Sequence, residues 1–231
     1  MLSKSGHIMG RSDITFLVDV DDTLLDNDRI QDDLRHHIWR QFGPKFRDRF
    51  WVIQEQLFQE LGYRDYLGAL QRFRVEHPYA KHLVTASNFL IDYPFANRLY
   101  PSALDVLKKF RRWGRTVILT DGDVVFQPRK VERSGIYEAV KGHVLIYVHK
   151  EKALADVVRR YPSKHYVLVD DKLRILAAVK KTWGRGVTAV FVRQGKFAHD
   201  PKVVAAYRGA ADVTVDHISD LLHYRLPELV P

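Results

Sequence analysis

Five short blocks of nearly unbroken apolar sequence govern what this chain can fold into. They are "ITFLVDV" (14–20), "RTVILT" (115–120), "HVLIYV" (143–148), "HYVLVD" (165–170) and "VTAVFV" (187–192). Each is rich in Val, Ile, Leu and aromatic residues, as expected of a strand buried on both faces. Helical patterns lie between them. "PSALDVLKKFRRWG" (101–114) has Pro101 near its start and Gly114 at its stop, the usual asymmetry of a helix. "KEKALADVVRRY" (150–161) and "KLRILAAVKKTWG" (172–184) repeat the apolar i, i+3, i+4 spacing, the second closing on Gly184. Strand, helix, strand, helix predicts an α/β fold, a Rossmann-like parallel sheet flanked by helices on both sides. "ADVTV" (211–215) reads as a last edge strand and "HISDLLHYRL" (217–226) as a final helix.

One stretch breaks the alternation. Residues 26–98 show no strand pattern but many aromatics at helical spacing, as in "FRDRFWVIQEQLFQELG" (46–62). Trp39, Phe42, Phe46, Phe50, Trp51, Phe58, Tyr63, Tyr66 and Phe73 are read as the core of a small helical bundle. The expected organisation is an α/β core from 1–25 and 99–231, with a helical domain of 26–98 inserted after the first strand. A chain of 231 residues that is 46% hydrophobic is large enough for that arrangement.

Composition narrows the function classes. The chain has no cysteine, which excludes disulfides and thiolate metal sites and suits a reducing compartment. No apolar run approaches a membrane span. The start, "MLSKSGHIMGRSD", lacks the apolar stretch of a secretory signal. A cytoplasmic protein is expected. The net charge is +9, but "KFRDRF", "KKFRRWGR", "VVRRYPSK" and "VKKTWGR" interleave their cations with apolar residues. They read as solvated helix faces, not a nucleic-acid stripe. The histidines, including His82 and His149, show no metal-ligand spacing.

In an open parallel sheet, ligands bind at the carboxyl ends of the strands. Here the first strand ends in Asp19, with Asp21 just beyond, and the second in Thr120 followed by "DGD". The third leads to His149, Lys150 and Lys152, and the fourth ends in Asp170–Asp171. Asp19 and Asp171, with a backbone carbonyl and waters, make an all-oxygen site suited to Mg²⁺. Thr120 and a lysine can hold phosphate oxygens. A carboxylate can then attack phosphorus, and Asp21 is placed to move a proton. Asp121 or Asp123 is expected to cap the turn or helix that follows. "RQGKFAHDP" (193–201) reads as a loop that borders the site or covers the core.

At these residues the chain resembles the haloacid dehalogenase-like hydrolase superfamily. "DVDDT" (19–23) is similar to its DxDxT signature, "VILT" (117–120) to its second motif, Lys150 to its third, and "VLVDD" (167–171) to its acidic fourth. The insert lies where that superfamily places a helical cap of the C1 type. The resemblance implies that Asp19 is the nucleophile and a Mg²⁺ ligand. Asp21 would be the general acid/base and lend its carbonyl to the metal, and Asp171, supported by Asp170, would complete the metal site. Thr120 and Lys150 would bind the phosphoryl group, with Lys150 preferred to Lys152 on the spacing before the helix. The backbone amides of Val20 and Asp22 would assist, the Asp22 side chain pointing elsewhere. The implied activity is Mg²⁺-dependent hydrolysis of a small phosphorylated metabolite through an aspartyl-phosphate. A phosphomutase or phosphotransferase, or a non-catalytic binding relative, is the alternative. Dehalogenases of the superfamily lack the second aspartate of the signature. Receiver domains carry their paired acids on the first strand, so the order here excludes them.

Overall fold

All five apolar blocks become strands. The computed structural model describes residues 13–80 and 83–230. The reading of the first twelve residues, and of His82, lies outside them. Strand β1 (Ile14–Val18) is followed by a helical insert of α1 (Asn27–Phe42), α2 (Pro44–Leu61), α3 (Tyr66–Glu76) and α4 (Leu83–Ile91). The chain continues through α5 (Ala103–Trp113), β2 (Arg115–Asp121), α6 (Phe126–Arg133), α7 (Ile136–Ala139), β3 (Val144–Tyr147), α8 (Leu154–Arg160) and β4 (His165–Asp170). Then come α9 (Leu173–Trp183), β5 (Val187–Val192), α10 (Gly195–Ala198), α11 (Pro201–Ala206), β6 (Val213–Val215) and α12 (Leu226–Leu229).

The strands form one parallel sheet in the order β3-β2-β1-β4-β5-β6. Successive side chains of a strand alternate between faces, and β1 divides accordingly. Phe16 and Val18 belong to a cluster with Val106, Phe110, Ile136 and Ile218. Leu17 belongs to one with Leu154, Val157, Leu176 and Val179. Helices α5 and α7 therefore cover one face, and α8 and α9 the other. On α5 the buried residues Ala103, Val106, Leu107 and Phe110 follow the helical period, and Phe110 stacks on Phe16 at 4.3 Å between ring centroids.

Order and register create the site. The chain leaves β1 for β2 and β3 on one side, then returns to place β4 on the other. That reversal opens a crevice at the carboxyl ends of β1 and β4. Val18 pairs with Ile118 and Val169, so the next residues, Asp19, Leu119 and Asp170, come level.

The insert has its own cluster of Ile30, Leu34, Ile38, Phe50, Ile53, Leu57, Tyr66 and Phe73, which also takes in Phe126 from α6 of the core. Its entry and exit run side by side. Asp26 N–H donates to the Arg98 carbonyl at 2.8 Å and Tyr100 N–H to that of Leu24 at 2.9 Å. Gly62, at φ 78°, ends α2 where its αL conformation suits glycine. Trp39 departs from the aromatic-core expectation, being 48% exposed.

The C-terminal segment also departs from expectation. The edge strand is three residues long, and 217–226 is not one helix. It is a 3₁₀ turn, Ile218–Leu222, which buries Ile218 and Leu221. Their spacing of three matches the tighter helix. Arg225 is then extended and opens a separate short helix, α12, with Pro227 in its first turn. Among the described residues, no helix is long and apolar enough to cross a membrane.

Phe110→Ala should lower the unfolding free energy by about 3–5 kcal/mol, the usual cost of emptying a buried phenyl site. Urea unfolding followed by circular dichroism measures it. A loss under ~1 kcal/mol would contradict the packing described.

Candidate active site

Past Val18 the chain stays in the sheet for one more hydrogen bond, Asp19 N–H to the Val169 carbonyl at 3.0 Å, and then curls. Leu24 and Leu25 N–H both donate to the Val20 carbonyl at 2.9 Å, and Asp22 N–H donates to that of Leu25 at 2.7 Å. This corrects the expectation that the Asp22 amide is available to a phosphate, because the turn already uses it. The Asp22 side chain is turned away. Its Oδ1 accepts from Asn27 N–H at 2.9 Å and Asp28 N–H at 3.1 Å, closing the start of α1. Gly195 packs against it, and a Cβ there would lie 2.6 Å from that of Asp22. Lys196 N–H donates to Asp28 Oδ2 at 2.8 Å, and Gln194 Nε2 donates to the Thr23 carbonyl at 3.1 Å. The 193–201 segment, which contains α10, therefore borders the loop after β1.

Lys150 sits at the centre. Its Nζ lies 2.6 Å from Asp19 Oδ1 and 2.6 Å from Asp170 Oδ2, with all three side chains buried. Its N–H donates to Asp121 Oδ1 at 2.6 Å, and its Nζ donates to the Leu119 carbonyl at 3.3 Å. Asp121 thus anchors the lysine segment, whereas Asp123 closes the turn that leads into α6, accepting from Val125 and Phe126 N–H. Lys152 is exposed. Thr120, 1% exposed, accepts from Gln127 Nε2 at 2.9 Å. A Cβ on Gly122 would lie 2.5 Å from the Gln127 Cβ, so glycine is needed for that side chain to pass. Asp21 pairs with Lys130, Nζ to Oδ1 at 2.6 Å, and Lys130 also reaches Asn27 Oδ1 at 3.3 Å.

Burial pushes the Asp19 carboxyl up, but the ammonium groups of Lys150 and Lys172 outweigh it and hold its pKa below the usual carboxylate value. Asp170 is pushed up to about 6 by burial, against the pull of Lys150. Burial raises Asp171 well above its ordinary value, with Asp170 and Asp19 adding to the effect. Asp22 rises to about 7 through burial and its neighbours Asp28 and Asp21. Burial opposes the charge on Lys150, yet Asp170 and Asp19 win and its pKa is raised.

Asp19, Asp170 and Asp171 can bring one oxygen each within 4.8 Å of one another. Asp19 Oδ2 and both Asp171 oxygens are buried without a hydrogen-bond partner. Orphaned buried carboxylate oxygens are costly, and an all-oxygen donor set of this kind fits Mg²⁺. The Asp21 carboxylate stands apart from the trio, held by Lys130. Sequence reasoning missed Lys130, Gln127, Gln194 and Lys172. The available signal was polar residues on an inner helix face, since Gln127 and Lys130 are buried beside Phe126 and Val131.

The family model for haloacid dehalogenase-like hydrolases matches residues 15–181. The chain belongs to the haloacid dehalogenase-like hydrolases. A solved member from Burkholderia xenovorans is 57% identical, with a TM-score of 0.88 over 92% of this chain and 99% of that one. The magnesium-bound hydrolase YfnB from Bacillus subtilis shares the fold at 16% identity and a TM-score of 0.58, over 90% of this chain and 96% of that one. So does the L-2-haloacid dehalogenase from Xanthobacter autotrophicus, solved with chloropropionic acid covalently bound, at 16% identity and 0.58, over 90% and 96%. No curated protein sequence matches the chain.

In this hydrolase the folded-state pKa of Asp171 lies above its unfolded value. Between the two, the native state holds a proton that the unfolded chain lacks, so stability falls as pH rises through that window. Metal-free Asp171→Asn should therefore melt about 2 °C or more above wild type near neutral pH. The gap should narrow as the pH approaches the ordinary carboxylate value, where wild-type Asp171 is neutral in both states. Thermal melts in EDTA check it, and a variant less stable than wild type near neutral pH would contradict it.

Proposed function

We propose that this hydrolase is a Mg²⁺-dependent phosphatase that cleaves a small phosphomonoester through an aspartyl-phosphate. The observation that carries the reading is Asp21, a second carboxylate beside the nucleophile with a buried lysine of its own. Displacing halide needs no proton. Displacing an alkoxide does, and Asp21 is the group two residues from Asp19 that can supply it.

Lys150 and the Thr120 hydroxyl hold phosphoryl oxygens, with the Val20 amide beside them. Asp19 attacks phosphorus through Oδ2, the oxygen not committed to Lys150. The ester P–O bond breaks, and Asp21 gives a proton to the leaving oxygen. Asp21 then takes a proton from water as the water attacks phosphorus, which frees phosphate and regenerates Asp19. Lys130 holds Asp21 in place and gives up its hold on that oxygen when Asp21 carries the proton. Mg²⁺, when bound by Asp19, Asp171 and the Asp21 carbonyl, offsets the phosphate charge. Asp170 acts through Lys150, which it orients.

In this reading residues 26–98 are the cap over a core of 1–25 and 99–231. Asp19 and Asp171 are each 1% exposed, so the cap must move to admit substrate. Its contacts to α6, Phe126 against Tyr66 and Phe95 and Arg133 with Asp92, are those that would part. The absence of cysteine suits a cytoplasmic site of action, and the substrate in this reading is a small phosphorylated metabolite.

Phosphate release from a phosphomonoester panel should require Mg²⁺, and Asp19→Asn should nearly abolish it without loss of fold. Full turnover in excess EDTA, or wild-type turnover in the variant, would overturn the mechanism. Chloride release from a 2-haloacid without phosphate release from the panel would replace it with dehalogenation.

Asp21→Asn should cost about 10²–10⁴-fold on an alkyl phosphate. The cost should be much smaller on p-nitrophenyl phosphate, whose leaving group needs little protonation. Single-turnover rates make the comparison, and equal losses would remove Asp21 from its role.

A further inference from the structure

Buried side-chain groups of the insert without a hydrogen-bond partner include the Gln54 amide and the Tyr66 hydroxyl, and Tyr66 leads through ring packing toward Asp21. Tyr66 begins α3 and is 2% exposed. Its ring meets Phe126 edge-on at 5.3 Å between centroids. Phe126 in turn lies 5.2 Å from Lys130 Nζ, the group paired with Asp21 at 2.6 Å. Tyr66 therefore packs one ring away from the cation that holds Asp21. Its hydroxyl is buried and has no hydrogen-bond partner. A buried tyrosine usually finds one, and leaving it without costs stability. The position itself is well made. Asp65 caps α3 by accepting from Gly68 N–H at 2.6 Å, which sets the direction of the helix start.

Several charges act on the hydroxyl. Burial raises its pKa above the ordinary phenol value, Arg64 opposes this, and Asp21, Asp22 and Asp28 add to it. The nearby carboxylates are those of the catalytic loop and of the α1 start behind it. The ring packing through Phe126 places the hydroxyl within the field of these carboxylates, and it stays protonated and able to donate. Arg64, the cation closest in sequence, is engaged with Glu55 at 3.2 Å.

Resting on the phosphatase reading, we propose that the Tyr66 hydroxyl is a specificity-determining donor to an uncharged oxygen, hydroxyl or carbonyl, on the organic part of the substrate next to the phosphoester. The substrate class is a hydroxylated phosphomonoester of the polyol or sugar type. The carboxylates beside the hydroxyl disfavour a second anion there, which argues against phosphorylated carboxylic acids. A site built to hydrogen-bond a substrate oxygen rejects an analogue that lacks it, because its own group is then left buried and unpaired.

The test compares glycerol 3-phosphate, n-propyl phosphate and phosphoglycolate as substrates of wild type and Tyr66→Phe, with Mg²⁺ present. Wild type is expected to favour glycerol 3-phosphate over both others in kcat/KM. In Tyr66→Phe its ratio to n-propyl phosphate should fall about fivefold or more, roughly the worth of one hydrogen bond. A smaller fall overturns the proposal, as does a wild-type preference for phosphoglycolate. The metal-free melting temperature is the second readout. Tyr66→Phe should melt at or above wild type, because the hydroxyl has no partner to lose. A drop of more than about 2 °C would mean a structural partner and would overturn the proposal. If wild type hydrolyses none of the three, nor any of a wider phosphomonoester panel, the phosphatase reading fails and this inference fails with it. If wild type is active and only the ratio is unmoved, this inference alone fails.

Discussion

The rest of the site depends on one buried cation, the Lys150 ammonium between Asp19 and Asp170, 2.6 Å from an oxygen of each. Three charges taken out of water are tolerable only with close geometry and further hydrogen bonds. The parallel sheet provides that geometry. Lys150 follows β3, Asp19 follows β1 and Asp170 ends β4, and the strand order brings these ends to one edge. The Asp121 carboxylate and the Leu119 carbonyl complete the fixing of Lys150 from β2. Removing the lysine would leave two buried carboxylates unpaired beside Asp171, which already has no partner. The lysine thus serves stability and chemistry through the same contacts. It holds Asp19 ionised, while both Asp171 oxygens stay buried without a hydrogen-bond partner.

A second pair, Lys130 with Asp21, links the chemistry to the insert. Helix α6 belongs to the core, yet Phe126 at its start is packed into the aromatic cluster of the insert. One turn later Lys130 reaches Asp21 and Asn27, the latter being the first residue of α1. Asp22 closes the start of the same helix through its side chain. The loop after β1 and the insert therefore share a short run of residues, and a displacement of α1 or α3 bears directly on the groups around Asp21.

Much of the fold was legible because its signals are local. Buried parallel strands read as continuous apolar runs, and all five blocks became strands with ends within two residues of the expected ones. The helical character of 26–98 was legible from aromatic spacing, although Trp39 proved exposed where a core position was expected. The C-terminal segment misled, because its apolar residues fit 3₁₀ as well as α spacing. Asp121 was expected to cap a turn. Whether it did so or reached across to the β3 loop depended on which strand lay beside β2.

By itself the sequence determined which polar groups stand at the strand tips, Asp19, Asp21, Thr120, Lys150, Asp170 and Asp171, since residue type and order follow the strands that carry them. Tertiary structure alone decided how those groups are paired. Lys130 meets Asp21 from 109 positions away and Lys150 meets Asp19 from across the sheet. Gln194 reaches the Thr23 carbonyl in the loop after β1 from 171 positions away, and Tyr66 is packed against Phe126 of α6 by the helices of the insert. The physical reason is that backbone preference is written in neighbouring residues. The environment of a charge, and with it pKa, orientation and substrate fit, is set by whichever distant side chains the folded chain places within a few ångströms.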